Sequence, residues 1–442
     1  MDYSSDIPQK KTNPLRYAIG MFGTSIPINM FKTYAAVFYV VTLGLNTRMF
    51  ALVLFIYTFV DAIDNPVYGI LSDRTRTRWG RRRPWLVIGT PLLILFFVLF
   101  FSPPAFASDQ AMFVYVLLMY ILTGTLDSLI NANYGALFPE LFRDDVTRAK
   151  TNGMRQAFQL MAMIISIALT PLVTEQLGYT NTAIVYGLLA LAVILYTTFG
   201  CHENKKYIDT QKPALWSSLK ALFINPKFWI FGLTNAFFSA ALALVMQAVP
   251  FFVLYSLQLD SGNSAFLLGT VIMVAIVSMI FWVWLIKRVT LLPAWRSALI
   301  VLSIGFIPLY FMTSLLGAIL ICSIIGFGAA GVIASMDLIA ARIMDEDARK
   351  YGIQREGIYI SAMGFMNRLS GLFISLGYLL VNVVYGFESG DNPGLNPDGA
   401  SRFLMIIFPF IAMVVSCFFS WLMHFGNGKT RPGSVEPETK EA

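Results

Sequence analysis

The sequence DAIDNPVYGILSDRTRTRWGRRRPW, residues 61–85, places carboxylates inside an apolar run and a cluster of arginines directly after it. The polar residues of the apolar part are Asp61, Asp64 and Asn65, and the arginines are Arg74, Arg76, Arg78, Arg81, Arg82 and Arg83. A carboxylate in the middle of a membrane costs about 2.5–3.5 kcal/mol on insertion scales, so its presence indicates a substrate or ion path. Arginines that directly follow a membrane-spanning helix mark its cytoplasmic end. This one stretch therefore predicts an ion site and the orientation of the helix that carries it.

Composition places the chain among helical membrane proteins. Of its 442 residues, 57% are hydrophobic and 13% are charged, and the mean hydropathy is +0.67, unlike soluble domains of this size. The apolar runs are continuous over about 20 residues and do not alternate, which argues against a β-barrel. The net charge of +7 comes from basic residues between these runs, so it indicates topology and no nucleic-acid partner. The three cysteines and two histidines lack metal-binding spacing, so we expect no metal and no cofactor.

The apolar runs predict twelve membrane-spanning helices in two halves of six. The predicted spans are at about residues 16–42, 49–73, 84–102, 111–135, 151–174, 180–200, 227–257, 264–287, 297–315, 317–342, 355–385 and 400–424. The polar stretch 202–226 is the predicted linker between an N-terminal half, 1–201, and a C-terminal half, 227–424, with a tail at 425–442. A weak repeat supports this division, because LFPELFRDDVTRAKTNGMR follows the fourth span and DLIAARIMDEDARKYGIQR ends the tenth. Paired six-helix halves are the layout of the major facilitator fold, an all-α membrane fold whose substrate site lies between the halves.

The basic residues alternate between the two sides of the predicted bundle. One set of connections contains the N-terminal lysines, the arginines of residues 74–83 and the lysines of the linker, whereas the other contains only Arg48 and Arg402. The positive-inside rule therefore places both termini in the cytoplasm, and we expect a multi-pass protein of the cell (inner) membrane. Charged residues at the cytoplasmic span ends are expected to act in gating and topology, and they are Asp73, Arg74, Arg81, Arg82 and Asp337.

Polar side chains inside two spans fall on single helical faces. In span two this face consists of Tyr57, Asp61, Asp64, Asn65 and Tyr68, at i, i+4, i+7, i+8 and i+11. In span one it consists of Ser25, Asn29 and Lys32. Lys32 lies about 10 residues, or about 15 Å, from the outer end of its span, too far to reach water, so it requires a partner inside the bundle. The carboxylates of Asp61 and Asp64 are the partners we expect.

Further polar residues lie in spans four, five and eleven. Asp127 and Asn131 are one turn apart in span four, Arg155 lies near the start of span five, and Arg368 lies near the middle of span eleven. Two interpretations of all these charges remain open. They either pair with one another as a buried structural network, or they line a path for a solute and a coupling ion.

The same segments resemble one family of transporters. Residues 61–85, the segment FGTSIPINMFKTYAAVFYVVTLGL, the segment NYGALFPELFRDDVTRAKTNGMRQ, and DEDARKYGIQREGIYI with FMNRL are similar to the glycoside–pentoside–hexuronide:cation symporters. These are the melibiose-permease-like branch of the major facilitator superfamily. The resemblance covers most of the chain, and it implies a twelve-helix fold and solute transport, commonly with Na⁺ or H⁺.

The resemblance also implies roles for single residues. Asp61 matches the first helix-two aspartate of the family, a cation ligand, and Arg155 matches a helix-five arginine near the sugar. Arg368 stands where the family often has a lysine. The chain departs from the family pattern in having Asn65, Ser25 and Asn131 at positions where melibiose permeases have aspartates.

These observations predict a secondary transporter for a sugar, glycoside or uronate-like solute that works by alternating access. We expect Asp61, Asp64, Asn65 and Lys32 to carry the coupling ion, and the solute path to be lined by Ser25, Asn29, Asp127, Asn131, Arg155 and Arg368. Because a lysine at this depth would repel Na⁺ and could exchange a proton with the aspartates, H⁺ is favoured over Na⁺. The partners we expect are a small solute and the lipid bilayer, and we expect a monomer.

Three other functions are alternatives to this one. A lipid or lysolipid transporter could have the same fold, and a non-transporting sensor would bind a solute without moving it. A membrane-embedded enzyme is disfavoured because the sequence contains no clustered ligands and no nucleophile–base pair.

Overall fold

The computed structural model describes residues 12–75, 77–142, 145–202, 225–351 and 356–425. Twelve helices, numbered α1 to α12 in chain order, make up most of this part of the chain. The first four are α1 (Pro14–Ala18 and Gly20–Ala36, then the π-helical turn Val37–Thr42), α2 (Thr47–Arg74), α3 (Arg83–Phe100) and α4 (Asp109–Leu141). Next are α5 (Asp145–Met163, the π-helical turn Ile164–Ala168, and 170–177) and α6 (179–200).

The chain turns between α5 and α6 at Gly178, whose φ of +74° is a conformation that favours glycine.

The second six helices are α7 (Pro226–Phe251 with Phe252–Ser256), α8 (Ser264–Val289), α9 (Leu291–Leu309), α10 (Leu315–Tyr351), α11 (Glu356–Arg368 and Ser370–Tyr385) and α12 (Pro397–Arg402, Phe403–Ile407 and Phe408–Leu422). The twelve predicted spans are therefore confirmed as helices.

Nine membrane-spanning segments can be recognised in the described residues from length and hydropathy alone. They cover α3, α4 and the stretch from Thr170 to Gly200, and every helix from α7 to α12. The helices outside this set are α1, α2 and the first part of α5. Each of these helices carries polar residues of the predicted site, such as Asn29, Asp61 and Arg155, and polar residues lower the hydropathy of the helix in which they lie.

The ninth helix begins and ends earlier than predicted. It spans Leu291–Leu309, whereas the hydropathy of the sequence predicts 297–315. The preceding helix ends at Val289, and Thr290, with φ of +84°, turns the chain directly into α9. The side chain of Trp295 is buried in the helix packing, so this segment belongs to the bundle despite its lower hydropathy. Tertiary packing has decided this boundary.

Matching elbows follow α1 and α7, the first helices of the two sets of six. After α1, the amides of Leu43 and Leu45 donate to carbonyls five and six residues earlier, at 3.0 and 2.9 Å. After α7, the amides of Leu257 and Leu259 do the same, both at 3.0 Å. Each elbow also has a residue of positive φ at the same place, Gly44 in the first and Gln258 in the second. The two sets of helices thus repeat a local structure.

Helices α2 and α11 pack closely and join the first six helices to the last six. The hydroxyl of Ser375 donates to the carbonyl of Ala51 at 2.7 Å, and the rings of Phe50 and Tyr378 meet edge to face at 5.4 Å. The two helices also approach closely at Gly371, because a Cβ there would overlap the hydroxyl oxygen of Thr58. A glycine in α11 therefore permits the helix crossing.

One end of the bundle, here called the loop end, is formed by the connections 43–46 and 386–396. The amide and the hydroxyl of Thr47 both donate to the carbonyl of Glu388, at 2.7 Å each. The amide of Gly390 donates to the carbonyl of Val40 at 2.8 Å. These bonds tie the first six helices to the last six at the loop end.

The opposite end, here called the arginine end, carries the connection between α2 and α3. Arg81 forms an ion pair with Glu140 of α4 at 2.7 Å, and Arg82 lies 3.4 Å from the same carboxylate. Lys227 at the start of α7 pairs with Glu346 of α10. Each of these ion pairs lies within one set of six helices.

Candidate functional site

An ion pair near the middle of the bundle joins α2 to α11. Nη1 of Arg368 lies 2.7 Å from Oδ1 of Asp61, and the same nitrogen donates to the backbone carbonyl of Asp61. The side chains are 20% and 14% exposed, so both are largely removed from solvent. Among the ion pairs whose two residues are both described, this one connects the first six helices to the last six.

The close crossing of α2 and α11 brings this pair together. Gly371, which admits Thr58 of α2, lies one turn after Arg368 on the same helix. Leu369, directly after Arg368, keeps a helical backbone, and its amide donates to the carbonyl of Phe365 at 3.3 Å. Arg368 therefore lies one turn before a close contact between the two helices.

Asp61 also receives two weaker hydrogen bonds from hydroxyl groups. Tyr57, one turn earlier in α2, and Ser128 of α4 each donate to Oδ1 of Asp61 at 3.3 Å. Gly124 of α4 leaves room for the phenol, because a Cβ at that position would overlap the ring of Tyr57. The Asp61 carboxylate thus interacts with α2, α4 and α11.

The other two carboxylates of the site are buried and held separately. Oδ2 of Asp64 accepts a hydrogen bond from the hydroxyl of Thr125 at 2.9 Å. Oδ1 of Asp127 accepts one from the side-chain amide of Asn131 at 2.7 Å. Both aspartates are only 8% exposed. Asp127 lies within electrostatic reach of Lys32, Asp61 and Arg368, so charges from four helices act on one region.

The polar face of α1 carries a hydrogen-bond donor that no described residue accepts from. The amide nitrogen of Asn29 is buried without a hydrogen-bond partner, and Ser25 is buried one turn earlier. Lys32, on the same face, is exposed and forms no described ion pair. Of the two partners that the sequence predicts for it, Asp61 is bound by Arg368 from α11, and Asp64 accepts a hydrogen bond from Thr125.

Arg155 lies in a different environment, among aromatic rings. Its guanidinium carbon is 4.9 Å from the ring centroid of Phe138, 5.4 Å from that of Tyr134 and 5.8 Å from that of Tyr17. Its Nη2 lies 3.9 Å from the sulfur of Met21, and its Nε is buried without a hydrogen-bond partner. The cation is held by ring faces at the side of α1 and α4.

The residues expected to gate the site are not all in one place. Arg81 and Arg82 bind Glu140, whereas Asp337 is exposed on α10. The side chains of Asn65, Asp73 and Arg74 lie outside the described residues. No contact among the described residues joins Asp337 to the two arginines.

Several residues of the site were missed by the sequence reasoning. Thr125 and Ser128 bind the two α2 carboxylates, and Gly124 and Gly371 admit Tyr57 and Thr58. The run GTLDS at residues 124–128 of an otherwise apolar span was the available signal. Small and hydroxylated residues in a membrane helix indicate close packing or hydrogen bonding to a neighbouring helix.

Comparison with known proteins gives a family and a fold. Residues 16–427 match the model of a family described as MFS/sugar transport protein. An isoprimeverose transporter of Lactiplantibacillus pentosus is 25% identical over 388 residues, which cover 83% of this chain and 80% of that protein. The putative glycoside/cation symporter YagG of Escherichia coli is 31% identical over 205 residues, 44% of each chain.

The fold is similar to that of a solved transporter. The crystal structure of the nucleoside transporter NupG matches with a TM-score of 0.68 at 14% identity, over 92% of this chain and 99% of that one. At this level of identity the likeness concerns the arrangement of helices and not the solute.

Proposed function

This chain belongs to the MFS/sugar transport protein family, and we propose that it moves a sugar, glycoside or uronate-like solute across the membrane by alternating access. The family consists of secondary transporters and not of enzymes. Relatives named as an isoprimeverose transporter and as a putative glycoside/cation symporter support a glycoside or sugar as the solute. The protein crosses its membrane many times.

The proposal divides the chain into two moving halves, residues 1–201 and 227–424, joined by the linker 202–226 and followed by the tail 425–442. The matching elbows after α1 and α7 support this division, because repeated halves repeat their local structure. The described ion pairs at the arginine end, which each lie within one set of six helices, also support it. The linker and the tail lie outside the described residues, apart from a few residues at their ends.

The observation that carries the proposal is the ion pair between Asp61 and Arg368. It lies deep in the bundle, where charges are costly unless they serve a purpose, and it joins two helices that belong to different halves. Movement of one half against the other must change the distance between these two groups. A pair in this place is therefore well suited to sense whether the solute site is occupied.

We propose that the loop end faces the outside and that both termini lie in the cytoplasm. The basic residues of the arginine end support this orientation through the positive-inside rule. With the loop end tied by Thr47 and Gly390, the described conformation would open its solute site toward the cytoplasm. Such a conformation is one of the two end states that alternating access requires.

A coupling ion would act on the Asp61 carboxylate. A proton on Asp61 would remove the negative charge that holds Arg368, whereas Na⁺ would have to compete with the guanidinium for the same oxygen. We favour the proton for this reason. One elementary charge moved through 100 mV yields about 2.3 kcal/mol, and a tenfold solute gradient requires about 1.4 kcal/mol, so one proton per solute suffices.

Uptake into proteoliposomes tests the proposal. Purified protein is reconstituted and offered radiolabelled sugars and glycosides under an imposed pH gradient, an imposed Na⁺ gradient, or neither. We expect exchange without a gradient and uphill uptake with the pH gradient. Uphill uptake driven by Na⁺ at symmetric pH would reject the proton as the coupling ion. Failure to exchange any offered solute in a folded, correctly inserted protein would count against sugar transport.

A further inference from the structure

Lys32 is a positive charge in the interior of the bundle that no described ion pair neutralises. It lies on α1, about 15 Å along the helix from the end at Thr42 at 1.5 Å per residue. Its side chain is exposed, although its neighbours Phe31 and Thr33 are buried. An unpaired ammonium group at this depth is costly, so a function for it is the default hypothesis.

Lys32 lies on a face of α1 that is otherwise buried, because Ser25, the amide nitrogen of Asn29, Ala35 and Ala36 on the same face are all buried. Lys32 is within electrostatic reach of Asp127, a buried residue of α4. Asp127 is also within reach of Asp61 of α2 and of Arg368 of α11. An exposed side chain on an otherwise buried helix face opens onto a space inside the bundle, and we assign that space to the solute path.

Two other interior cations in the part of the chain that the structure describes already have close contacts. Arg368 is bound by the carboxylate and the carbonyl of Asp61, and Arg155 is surrounded by the rings of Phe138 and Tyr134. The charge of Arg368 is balanced by Asp61 and that of Arg155 lies against ring faces, whereas no described ion pair balances the charge of Lys32. Lys32 is therefore the interior cation that gains most from an anionic solute.

The groups near Lys32 define what kind of solute fits. Asn29, one turn earlier on α1, has a buried amide nitrogen that donates to nothing described, so it offers a hydrogen-bond donor. Asp127 accepts from the side chain of Asn131 through one oxygen and retains further acceptor positions. Donors on one side and a carboxylate acceptor on the other complement a molecule that has an anionic group next to hydroxyl groups.

We infer that Lys32 is the residue that selects for an oxyanion on the solute, with Asn29 as a second donor and Asp127 as the acceptor of a solute hydroxyl. The inference rests on the proposed function and gives its site a solute class, a hydroxylated molecule of sugar size that carries one carboxylate or sulfate group. Lys32 then belongs to solute recognition, and not to the coupling site where its position in the sequence alone would put it.

Three solutes that share one hexose frame test the inference. D-glucose, D-glucuronate and D-glucose 6-sulfate are compared as competitors of exchange in proteoliposomes, for the unmodified protein and for Lys32→Gln. We expect the unmodified protein to prefer at least one of the two anions to glucose. In Lys32→Gln we expect that anion to bind at least about tenfold more weakly, the usual loss for a hydrogen bond to a charged group, while glucose is unchanged. Preference for glucuronate or for the sulfate identifies the oxyanion.

Control variants separate recognition from a structural role. Lys32→Arg keeps the charge and should keep most of the preference for the anion, whereas Lys150→Gln, an exposed lysine of α5, should change nothing. Asp127→Asn should weaken glucose and the anions alike, since it alters a hydroxyl contact. Thermal unfolding without solute shows whether each variant is folded.

The possible failures are distinguishable from one another. If the unmodified protein exchanges glucose as well as the anions and Lys32→Gln weakens all three equally or none, the inference is overturned and the proposed function stands. If no variant exchanges any sugar, the proposed function itself fails. If Lys32→Gln and Lys32→Arg both unfold, Lys32 is a structural counter-charge for Asp127 and the inference is likewise overturned.

Discussion

Arg368 of α11 donates to Oδ1 of Asp61 in α2 at 2.7 Å, although the two residues are 307 positions apart in the chain. Removing one partner of a buried ion pair costs about 3–5 kcal/mol, and somewhat less where both side chains keep some exposure, as they do here. The cost arises because the remaining charge stays buried without compensation. Breaking the pair is thus costly while Asp61 is charged. It becomes favourable only when a coupling ion neutralises Asp61.

Asp61→Asn is expected to abolish uphill uptake and to leave some solute exchange. The amide cannot exchange a proton near neutral pH and has no negative charge to attract a coupling cation, but it still fills the same space. The measurement compares gradient-driven uptake with exchange in the same proteoliposomes. Asp398→Asn is the matched control, because Asp398 pairs with Arg402 at 2.8 Å within a single helix. Unfolding of Asp61→Asn would instead indicate that the pair is structural.

Arg368→Gln is expected to lower thermal stability more than the double variant Arg368→Gln/Asp61→Asn. The single change leaves Asp61 as an unpaired charge, and the double change removes that charge as well. Melting temperatures of both single variants and of the double variant give the interaction between the two sites. Additive shifts would show that the two side chains do not interact, contrary to the structure.

Gly371→Ala is expected to separate α2 from α11 and to destabilise the protein by about 1–3 kcal/mol, the usual cost of overpacking. The added methyl group would overlap the hydroxyl of Thr58, so Thr58→Ala should restore part of the stability and of the transport rate. Gly364→Ala is the control, because it lies on the same helix with open space around it. Equal effects at Gly371 and Gly364 would refute the close approach.

Gly390→Ala is expected to open the loop end. Its Cβ would overlap the carbonyl oxygen of Val41, a backbone atom that cannot rotate away, and the hydrogen bond from Gly390 to Val40 would be lost. A cysteine introduced at Ser375, which is buried between α2 and α11, should become accessible to a water-soluble thiol reagent from outside. The native cysteines are first replaced. Unchanged labelling would mean that the loop contact does not hold this end closed.

A cysteine in place of Lys212 is expected to react with a membrane-impermeant reagent only after the cells are opened. The prediction follows from the five lysines between residues 205 and 227, which the positive-inside rule assigns to the cytoplasm. A cysteine in place of Asp391, in the connection between α11 and α12, should show the opposite pattern. Labelling of residue 212 in intact cells would reverse the orientation proposed for the protein.

The sequence by itself determined the number of helices, their class and the positions of the interior charges. Hydropathy and the sidedness of basic residues are local properties, because each apolar run must satisfy its own backbone inside a membrane. The polar faces of α1 and α2 follow from helical spacing for the same reason, and Asp61 could be selected from them. The start of α9 at Leu291 could not be predicted from the sequence, because packing around Trp295 and the turn at Thr290 set it.

Only the tertiary structure decided which of these charges meet. Helical spacing places Lys32 and Asp61 at similar depths but does not say which helices face each other. The crossing of α2 and α11 at Gly371 is a matter of side-chain volume between distant segments, and it assigns Asp61 to Arg368. Lys32 is thereby left without a described ion pair. Depth in a membrane can be read from one segment, whereas a contact requires the packing of two.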